Sequence, residues 1–252
     1  MKVDVVYTWV DGGDPDYQGL LRKYSDNPLD LNPERFRDHY QMLRYSLRSL
    51  AQFASDWVGR IFVATCRPQI PPWLNTDHPD VRVIHHDEFF SDPSDLPTFS
   101  CLPIETQLHR IPCSDPCSPE LFCDQAGRIR VFGTLVGERF PWRIRQDGIS
   151  LGFTEHTPIW VDKQSYQSTL QLFRSLYLRT LGCKFRQGWN LRMERAYRYY
   201  LLAHTRNRVV VPFWTALRQV GFHKITNQPA RQQRWLSRLL RWRPALLCLN
   251  DD

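Results

Sequence analysis

The chain has 252 residues, of which 42% are apolar and 23% charged, a composition that is typical of a globular protein and excludes a disordered or fibrous one. Its formal net charge of +7 favours anionic partners without choosing among nucleotides, glycans, acidic lipids and nucleic acid. No apolar run approaches the roughly 18 residues of a membrane span, and the N-terminus lacks the apolar core of a signal peptide, so we expect a cytoplasmic protein.

The first half of the chain alternates predicted strands with a predicted helix. Residues 3–10 are β-branched and aromatic and precede a turn-rich segment, which indicates a buried strand. Leucines recur at helical spacing in residues 35–53 and predict a helix, while residues 60–65 and 81–85 predict two further strands. This order favours parallel strands joined by crossover connections.

The second half is predicted to be mainly helical. Residues 102–111 predict a short helix that places Glu105 and His109 on one face, four positions apart. Further helices are predicted at 162–180, 190–205 and 231–242, and an apolar strand at 245–249. We therefore predict an α/β fold with one Rossmann-like sheet and a helical insertion from about residue 160 to 205.

Two carboxylates directly follow the first predicted strand, in the segment DGGD. In open α/β sheets ligands bind at the carboxyl ends of the strands. Asp11 and Asp14 in such a loop can hold a divalent cation, or a ribose and a metal-bound pyrophosphate. A plain Asp-Gly turn is the alternative interpretation, and the local spacing favours it.

Two other polar clusters are compatible with a metal site, but a simpler interpretation is favoured for each. Residues 85–88, His-His-Asp-Glu, follow a predicted strand and could ligate a metal, although a polar loop is favoured. Three cysteines near His109 match no familiar zinc spacing, so free thiols are favoured over a metal site; they are Cys113, Cys117 and Cys123. The seven cysteines of the chain follow no regular framework, and we expect reduced thiols.

The predicted helix near the C-terminus is strongly basic. Residues 231–243 contain five arginines and two tryptophans. Such a helix can lie on an anionic membrane surface, or its Trp and Leu side chains can face a protein core, and the second interpretation is favoured. No nucleic-acid-binding signature occurs, so nucleic acid is not an expected partner.

Several segments resemble, in the same order, the conserved blocks of the Stealth family of sugar-1-phosphate transferases. The N-terminal DVVYTWVDGGDPDY resembles the first block. The segments RFRDHYQMLRYSLRSL, IFVATCRPQIPPWLN, VRVIHHDEFF and LPTFSCLPIETQLHRIP resemble the second. HTPIWVDKQSY through CKFR resembles the third, and the terminal LLCLNDD resembles the opening of the fourth. The family includes bacterial capsular polysaccharide phosphotransferases and the catalytic precursor of the animal N-acetylglucosamine-1-phosphotransferase.

The resemblance implies a glycosyltransferase-like α/β fold and a reaction that depends on Mg²⁺ or Mn²⁺. A hexose-1-phosphate, expected to be N-acetylglucosamine-1-phosphate, passes from a UDP-sugar to a sugar hydroxyl of a capsular or surface glycan, and UMP leaves. The implied domain has a donor-binding part at 1–155, a helical segment at 156–205 and a return to the sheet at 206–252. Because the chain ends where the fourth block begins, truncation of that last part stays open.

The resemblance also assigns roles to individual residues, although each taken singly is more often structural. His156, Arg186 and Asp251 correspond to the reaction centre, where His156 is expected to accept the hydroxyl proton and Arg186 to bind phosphate oxygens. Donor binding is implied for Asp11, Asp14, Arg44, His109 and Arg110. The expected metal ligands are Asp11, Asp124 and Asp251. Peripheral contact with an anionic inner membrane is compatible with this function.

One departure from the family pattern separates two classes of function. Family members usually follow the HRIP element with a strand that ends in a pair of Asp residues. Here it is followed by CSDPCSPELFCDQAGRIRVFG, in which only Asp124 stands near the expected place. A metal site that lacks a carboxylate binds a cation less well, which favours weak activity or none. The alternatives are a catalytically silent relative that only binds nucleotide sugar or glycan, and a hexosyltransferase that releases UDP.

Overall fold

The computed structural model describes residues 2–32, 38, 41–113, 129–131, 161–204, 208–210, 220–225, 228–244 and 246–251. The chain divides into two compact units. The first comprises Met1–Cys117 with Val161–Arg198, and the second comprises Ser118–Trp160 with Tyr199–Asp252. Both units combine helices with parallel strands, so the fold belongs to the mixed α/β class.

The first unit begins with alternating strands and helices and ends in helices. Its strands are β1 (Val3–Thr8), β2 (Val58–Thr65) and β3 (Val81–His85). Helices α1 (Pro15–Leu21) and α2 (Met42–Phe53) connect the first two strands, and α3 (His86–Phe89) follows the third. The remaining helices are α4 (Cys101–Gln107), α5 (Lys163–Leu172), α6 (Arg174–Leu181) and α7 (Met193–His204), the last of which continues into the second unit.

The three strands form a parallel sheet in the order β1-β2-β3. In the central strand β2, Phe62 pairs with Val6 of β1 and with Arg82 of β3. Phe62, Val63 and Ala64 are fully buried, as is typical of a parallel sheet that is covered on both faces. The predicted strands at 3–10, 60–65 and 81–85 are confirmed, and so is their parallel order.

The main core of the first unit joins the sheet to the helices. Phe62 and Ile84 of the sheet pack with Phe89 of α3, Leu181 of α6 and Ile111. These side chains are at most 5% exposed, so each contributes close to its full transfer free energy, about 1.5–3 kcal/mol for a residue of this size. The sheet is therefore held in place by helices from both parts of the sequence that form this unit.

Two buried hydrogen bonds fasten α4 to the helices that follow it. The side-chain amide of Gln107, which is fully buried, donates to the hydroxyl of Tyr177 in α6 at 2.9 Å. The hydroxyl of Tyr166 in α5 donates to the carbonyl oxygen of Glu105 at 2.6 Å. Because leaving a buried polar group unpaired costs free energy, these hydrogen bonds restrict the position of α4 relative to α5 and α6.

The predicted helices are confirmed in place, but their bounds differ. Of the helix predicted for 35–53, residues 35–37, 39 and 40 lie outside the described residues; the described helix begins at Met42, after Gln41, which has a left-handed backbone with φ 51°. The helix predicted for 162–180 is interrupted at Phe173, where φ is −106° and ψ is 28°. The segment predicted as one helix at 102–111 is α-helical to Gln107 and continues as a 3-10 turn at Leu108–Arg110.

The described part of the second unit contains two pairs of parallel strands and one long helix. Strand β4 (Ile129–Val131) pairs with β5 (Arg208–Val210), and β6 (Val220–Ile225) pairs with β7 (Leu246–Asp251). Helix α8 (Pro229–Trp242) connects β6 to β7. The predicted helix at 231–242 and strand at 245–249 are confirmed, whereas a single sheet that includes the last residues stays a prediction. Among the described residues, no helix has both the length and the apolar character needed to cross a bilayer.

The close approach of β1 and β2 at Gly59 provides a test of the sheet packing. A methyl group on Gly59 would lie 2.7 Å from Oδ1 of Asp4. That oxygen accepts the backbone N–H of Arg60 at 2.8 Å, and the Asp4 side chain is only 6% exposed. We expect Gly59→Ala to destabilise the protein by about 1–3 kcal/mol in urea denaturation, because it displaces a buried carboxylate.

Gly19→Ala is the matched control for this substitution. Gly19 lies inside α1, and a methyl group there meets nothing within 4 Å. Replacing a helical glycine by alanine is expected to stabilise the protein by up to about 1 kcal/mol. Equal effects of the two substitutions would contradict the packing described for Gly59.

Candidate functional site

The chain leaves all three strands of the first sheet at the same edge. Trp9 follows β1, Cys66 follows β2 and His86 follows β3. The N–H of Trp9 donates to the carbonyl oxygen of Ala64 at 2.9 Å, which keeps the exit from β1 close to β2. Ligands of open α/β sheets bind at this edge. A cavity of about 190 Å³ opens there.

Apolar and aromatic side chains form most of the cavity wall. The lining comes from the exits of the three strands, from α1 and from the beginning of α4: Thr8, Trp9, Val10, Tyr17, Cys66, His86, Thr98, Phe99, Ser100, Cys101 and Ile104. Sites for complete drug-sized ligands usually measure roughly 300–1,000 Å³. The described cavity therefore fits one ring or one small group of a ligand better than a complete nucleotide sugar.

Phe99 organises the aromatic part of this wall. Its ring lies edge-on to Tyr17, with centroids 5.6 Å apart, and stacks on Phe185 at 5.3 Å and 18°. The N–H of Phe99 donates to the carbonyl oxygen of Lys184 at 2.8 Å. These contacts join two segments that are 85 positions apart in sequence and bring the residues after α6 to the edge of the cavity.

Arg186 lies at this junction. Its guanidinium Nη2 donates to Sγ of Cys101 at 3.1 Å, and Cys101 lines the cavity. The Arg186 residue is otherwise exposed. A predicted reaction-centre residue therefore stands beside the cavity, with a guanidinium group that can form forked contacts to phosphate oxygens.

Glu105 is a second ionisable group beside Cys101. Burial raises the pKa of Glu105 to about 7, although a hydrogen bond with the Cys101 thiol opposes this shift. The charge of Glu194 raises the pKa further, and the charge of Arg186 lowers it. A carboxyl group with a pKa near neutrality can take up or release a proton under physiological conditions, which is a common property of functional sites.

The thiols of the cavity remain protonated at neutral pH. Burial raises the pKa of Cys66 to about 11, and burial also raises the pKa of Cys101. Since the thiolate is the nucleophilic form of cysteine, neither thiol is suited to covalent catalysis. Among the cysteines whose side chains are described, Cys66, Cys101, Cys113 and Cys183, none forms a disulfide, and reduced thiols stay a prediction.

Asp11 and Asp14 both take part in holding their own loop. The side-chain amide of Gln69 accepts the Asp11 N–H at 3.0 Å and donates to the Asp11 carbonyl oxygen at 2.8 Å. Oδ1 of Asp11 accepts the N–H of Gly13 at 2.8 Å, and Asp14 caps α1 by accepting the N–H of Tyr17 at 2.8 Å. The turn that was the alternative interpretation is thus present, and donor or metal binding by these carboxylates stays a prediction.

The polar residues that follow β3 form one helical turn and not the loop that was favoured. His86 is 6% exposed, and burial together with the neighbouring His85 lowers its pKa to about 4. Oδ2 of Asp87 lies 2.8 Å from Nε of Arg67, and Oε1 of Glu88 lies 3.5 Å from Nη2 of the same arginine. The carboxylates of this turn therefore bind the loop after β2.

The other predicted donor-binding residues do not line the cavity. Nδ1 of His109 lies 3.1 Å from the carbonyl oxygen of Thr106, and burial lowers the His109 pKa. Arg110 is exposed at the end of a 3-10 turn. Nη1 of Arg44, on α2, donates to Oε1 of Gln41 at 2.8 Å. Roles for these three residues stay predictions.

Several predicted residues lie outside the part of the chain that the structure describes. They are His156, Asp124, Cys117 and Cys123, and for Asp251 only the backbone, as the last residue of β7, is described. Within the described ranges, no group of three or more His, Cys, Asp or Glu side chains is arranged to hold a metal ion. The metal site stays a prediction.

Sequence reasoning missed most of the cavity wall. It did not single out Cys66, Phe99 or Cys101, and it treated His86 only as part of a polar run. Gln69 could have been identified from the sequence as a residue near the site. It lies in a proline-rich loop directly after a predicted strand, where a polar side chain can reach the residues that follow the neighbouring strand. The contacts of Phe99 and Cys101 depend on residues after α6, for which no local pattern exists.

Comparison with known proteins places conserved regions of one family in the first part of the chain. The model of Stealth protein conserved region 1 matches residues 1–28, and that of conserved region 2 matches residues 35–117. Residues 1–117 are therefore similar to the first two conserved regions of Stealth proteins. The two matched regions contain all three strands of the first sheet and every residue that lines the cavity.

Several exopolysaccharide phosphotransferases are similar to this chain. One from Streptomyces coelicolor is 48% identical over 112 residues, which are 43% of this chain and 18% of the relative. Exopolysaccharide phosphotransferase CpsY of Mycobacterium tuberculosis is 39% identical over 114 residues, 44% of this chain and 21% of the relative. One from Nocardia farcinica is 29% identical over 244 residues, 79% of this chain and 46% of the relative. The matched part of the chain thus spans less than half the length of these relatives.

The buried His86 gives this edge of the sheet a predictable pH dependence. Its pKa falls from 6.5 in the unfolded chain to about 4 in the folded protein, so between these values the unfolded chain binds more protons. Stability from this group is present above pH 6.5 and is lost as the pH falls towards 4. The loss amounts to up to about 3 kcal/mol, since one pKa unit corresponds to about 1.4 kcal/mol.

The substitution His86→Phe removes the titrating group and retains a ring beside Phe89 and Phe90. We expect the stability of this variant, measured by urea denaturation from pH 7 to pH 4, to decline less than that of the parent chain. The control His78→Phe changes an exposed histidine and is expected to retain the full decline. The same decline in the parent and in His86→Phe would contradict a neutral, buried His86.

Proposed function

We propose that this chain is part of an enzyme that transfers a hexose-1-phosphate from a UDP-sugar to a glycan hydroxyl during exopolysaccharide synthesis. The observation that carries the proposal is the cavity at the carboxyl edge of the parallel sheet, whose wall lies within the two matched Stealth regions. The names of the relatives, exopolysaccharide phosphotransferases, support the same reaction class. The three parallel strands also support a Rossmann-like, glycosyltransferase-like arrangement of the sheet.

The proposed donor is UDP-N-acetylglucosamine. An apolar cavity of about 190 Å³ with aromatic side chains is suited to a single ring of this donor. The exposed guanidinium of Arg186 beside Cys101 supports a position for the pyrophosphate near the entrance. In this arrangement the ring enters the cavity and the phosphates remain at its edge.

The proposed reaction is a phosphoryl transfer with release of UMP. The acceptor hydroxyl oxygen attacks the β-phosphorus, the bond from this phosphorus to the bridging oxygen breaks, and UMP leaves with the electron pair of that bond. His156 is the proposed acceptor of the hydroxyl proton. Arg186 is proposed to stabilise the negative charge on the phosphate oxygens, which is the main task of a protein in such reactions.

A divalent cation, Mg²⁺ or Mn²⁺, is the proposed cofactor, with Asp11, Asp124 and Asp251 as the proposed ligands. The cation would neutralise part of the pyrophosphate charge. Only Asp11 of this set has a described side chain, and one of its oxygens already accepts the Gly13 N–H. The described residues therefore do not make up a complete ligand set.

A catalytically silent relative is the second candidate function. The segment after HRIP lacks the paired Asp residues that the family resemblance leads one to expect. Loss of a metal carboxylate weakens catalysis more than it weakens an apolar ring pocket. A protein of this kind would retain nucleotide-sugar binding without turnover.

The nucleotide released from the donor distinguishes these functions. We expect the chain, incubated with UDP-N-acetylglucosamine, MgCl₂ and a mixed glycan acceptor, to release UMP, detected by ion-pair chromatography. Arg186→Gln is expected to lower the rate by about 100-fold or more, because one charge-stabilising donor to the transition state is lost. Arg174→Gln is the control, since Arg174 is an exposed arginine on α6 whose side chain contacts Gln171.

The other outcomes identify the alternatives. Release of UDP in place of UMP would indicate a hexosyltransferase. Binding of the donor by calorimetry without release of either nucleotide, with several acceptors tested, would indicate the silent relative. Equal rates for Arg186→Gln and Arg174→Gln would contradict the role proposed for Arg186.

A further inference from the structure

Helix α8 of the second unit has two exposed faces of opposite chemistry. Arginines recur at positions i, i+3, i+7 and i+10 and form a basic face; they are Arg231, Arg234, Arg238 and Arg241. Leu236 and Leu240 lie one turn apart, form an apolar face, and are 40% and 73% exposed. At about 100° per residue, the centres of the two faces lie about 160° apart around the helix axis. The helix is therefore amphipathic, with both faces exposed.

The contact of α8 with β6 lies on the side of the helix between these two faces. The ring of Trp235 stacks on that of His223 in β6, with centroids 3.7 Å apart and planes at 15°. Oε1 of Gln232 lies 3.0 Å from Nε2 of the same histidine. The interpretation in which the Trp and Leu side chains of this helix face a protein core therefore holds for Trp235, but it is wrong for Leu236 and Leu240.

A third exposed leucine lies on the strand pair that α8 contacts. Leu247 of β7 pairs with Gly221 of β6 and is 43% exposed. Gly221 precedes His223 by two positions, and residues two positions apart in a strand lie on the same face of a sheet. Leu247 is therefore on the face of the strand pair that α8 covers, and the exposed apolar surface is not limited to the helix.

The positive charge of the chain is concentrated in the unit that contains α8. The second unit contains fourteen Lys and Arg residues against seven Asp and Glu, whereas the first unit contains nineteen of each kind. Residues 195–250 contain no Asp or Glu. Among the ion pairs formed by described residues, none involves an arginine of the basic face. The second unit therefore has a positive potential that attracts an anionic surface.

The surface of a bilayer can contact both faces of α8 at once. A helix with its side chains is about 10–12 Å across. An amphipathic helix on a bilayer buries its apolar face about 5–10 Å deep, at the boundary between headgroups and acyl chains. Its basic face then stays at the level of the headgroups, where the long arginine side chains reach lipid phosphates. A partner with a rigid surface that binds the arginines leaves the leucines of the opposite face in water.

We propose that α8 attaches the chain to the surface of a bilayer that contains anionic phospholipids. Leu236 and Leu240 enter the boundary between headgroups and acyl chains, and the arginines of the basic face bind lipid phosphates. The 14 residues of α8 are fewer than the roughly 20 that cross a bilayer, so the helix lies along one surface. Because the attraction to phosphates is electrostatic, binding weakens as the salt concentration rises.

The test measures the fraction of the 252-residue chain that floats with lipid vesicles in a density gradient. The vesicles contain about 30% phosphatidylglycerol in phosphatidylcholine, or phosphatidylcholine alone. The basic-face variant replaces all four arginines of that face by glutamine. Its charge-matched control changes four exposed residues of the first unit, with the substitutions Arg22→Gln, Lys23→Gln, Arg48→Gln and Arg174→Gln.

A second pair of variants tests the leucines. The apolar-face variant carries Leu236→Gln and Leu240→Gln. Its matched control carries Leu172→Gln and Leu178→Gln, at positions of the first unit that are 61% and 53% exposed. Circular dichroism confirms that the variants fold, and Leu240→Gln alone replaces the double variant if the latter unfolds.

We expect the parent chain to bind the anionic vesicles at least about tenfold more strongly than the neutral ones. The basic-face and apolar-face variants are each expected to lose at least about tenfold in partition coefficient, and their controls less than about threefold. Equal binding to both kinds of vesicle would overturn the proposal. So would unchanged binding of either α8 variant relative to its control, since attachment requires both faces.

Sedimentation velocity without lipid tests a second copy of the chain as the alternative partner of the leucines. We expect the parent chain and the apolar-face variant to sediment alike. A dimer that the apolar-face variant loses, together with unchanged vesicle binding of this variant, would overturn the proposal in favour of self-association. The vesicle assay contains neither donor nor acceptor, so its outcome is independent of the release of UMP and of the proposed function.

Discussion

The hydrogen-bond register of three parallel strands is the constraint on which the described site depends. Because parallel strands run in one direction, pairing β1 and β3 to the two sides of β2 places all three exits at one edge of the sheet. The side chains that follow these exits are then close together without any further element. The backbone pairing of Phe62 with Val6 of β1 and with Arg82 of β3 defines this register.

The strands were predictable from the sequence, but the cavity wall was only partly so. Residues 60–65 and 81–85 are short runs rich in β-branched residues and bounded by turns. Such continuous apolar runs are typical of parallel strands that are buried on both faces of the sheet. The end of α5 was not predictable, because the leucine spacing continues through Phe173 although the backbone there is not helical. The contact of Arg186 with Cys101 spans 85 residues and follows from tertiary packing alone.

The ionisation states around the cavity favour an anionic ligand. His86 is neutral at physiological pH because it is buried, and the thiols of Cys66 and Cys101 are protonated for the same reason. Glu105 carries only part of its charge, since its pKa is about 7. Of these five side chains, only the guanidinium of Arg186 carries a full charge, and it is exposed beside the apolar wall of the cavity.

The hydrogen bonds of the Asp11 loop affect how suitable this loop is for binding the proposed cation. A carboxylate has two oxygens and about four lone-pair positions, so one bond from the Gly13 N–H leaves Asp11 able to accept other ligands. The same bond, together with the paired contacts from Gln69, holds the Asp11 backbone and side chain in one orientation. A ligand that is already oriented loses little conformational freedom when it binds a cation, and preorganisation of this kind lowers the cost of association. The contacts that hold the Asp11 loop in place are therefore compatible with cation binding by the same carboxylate.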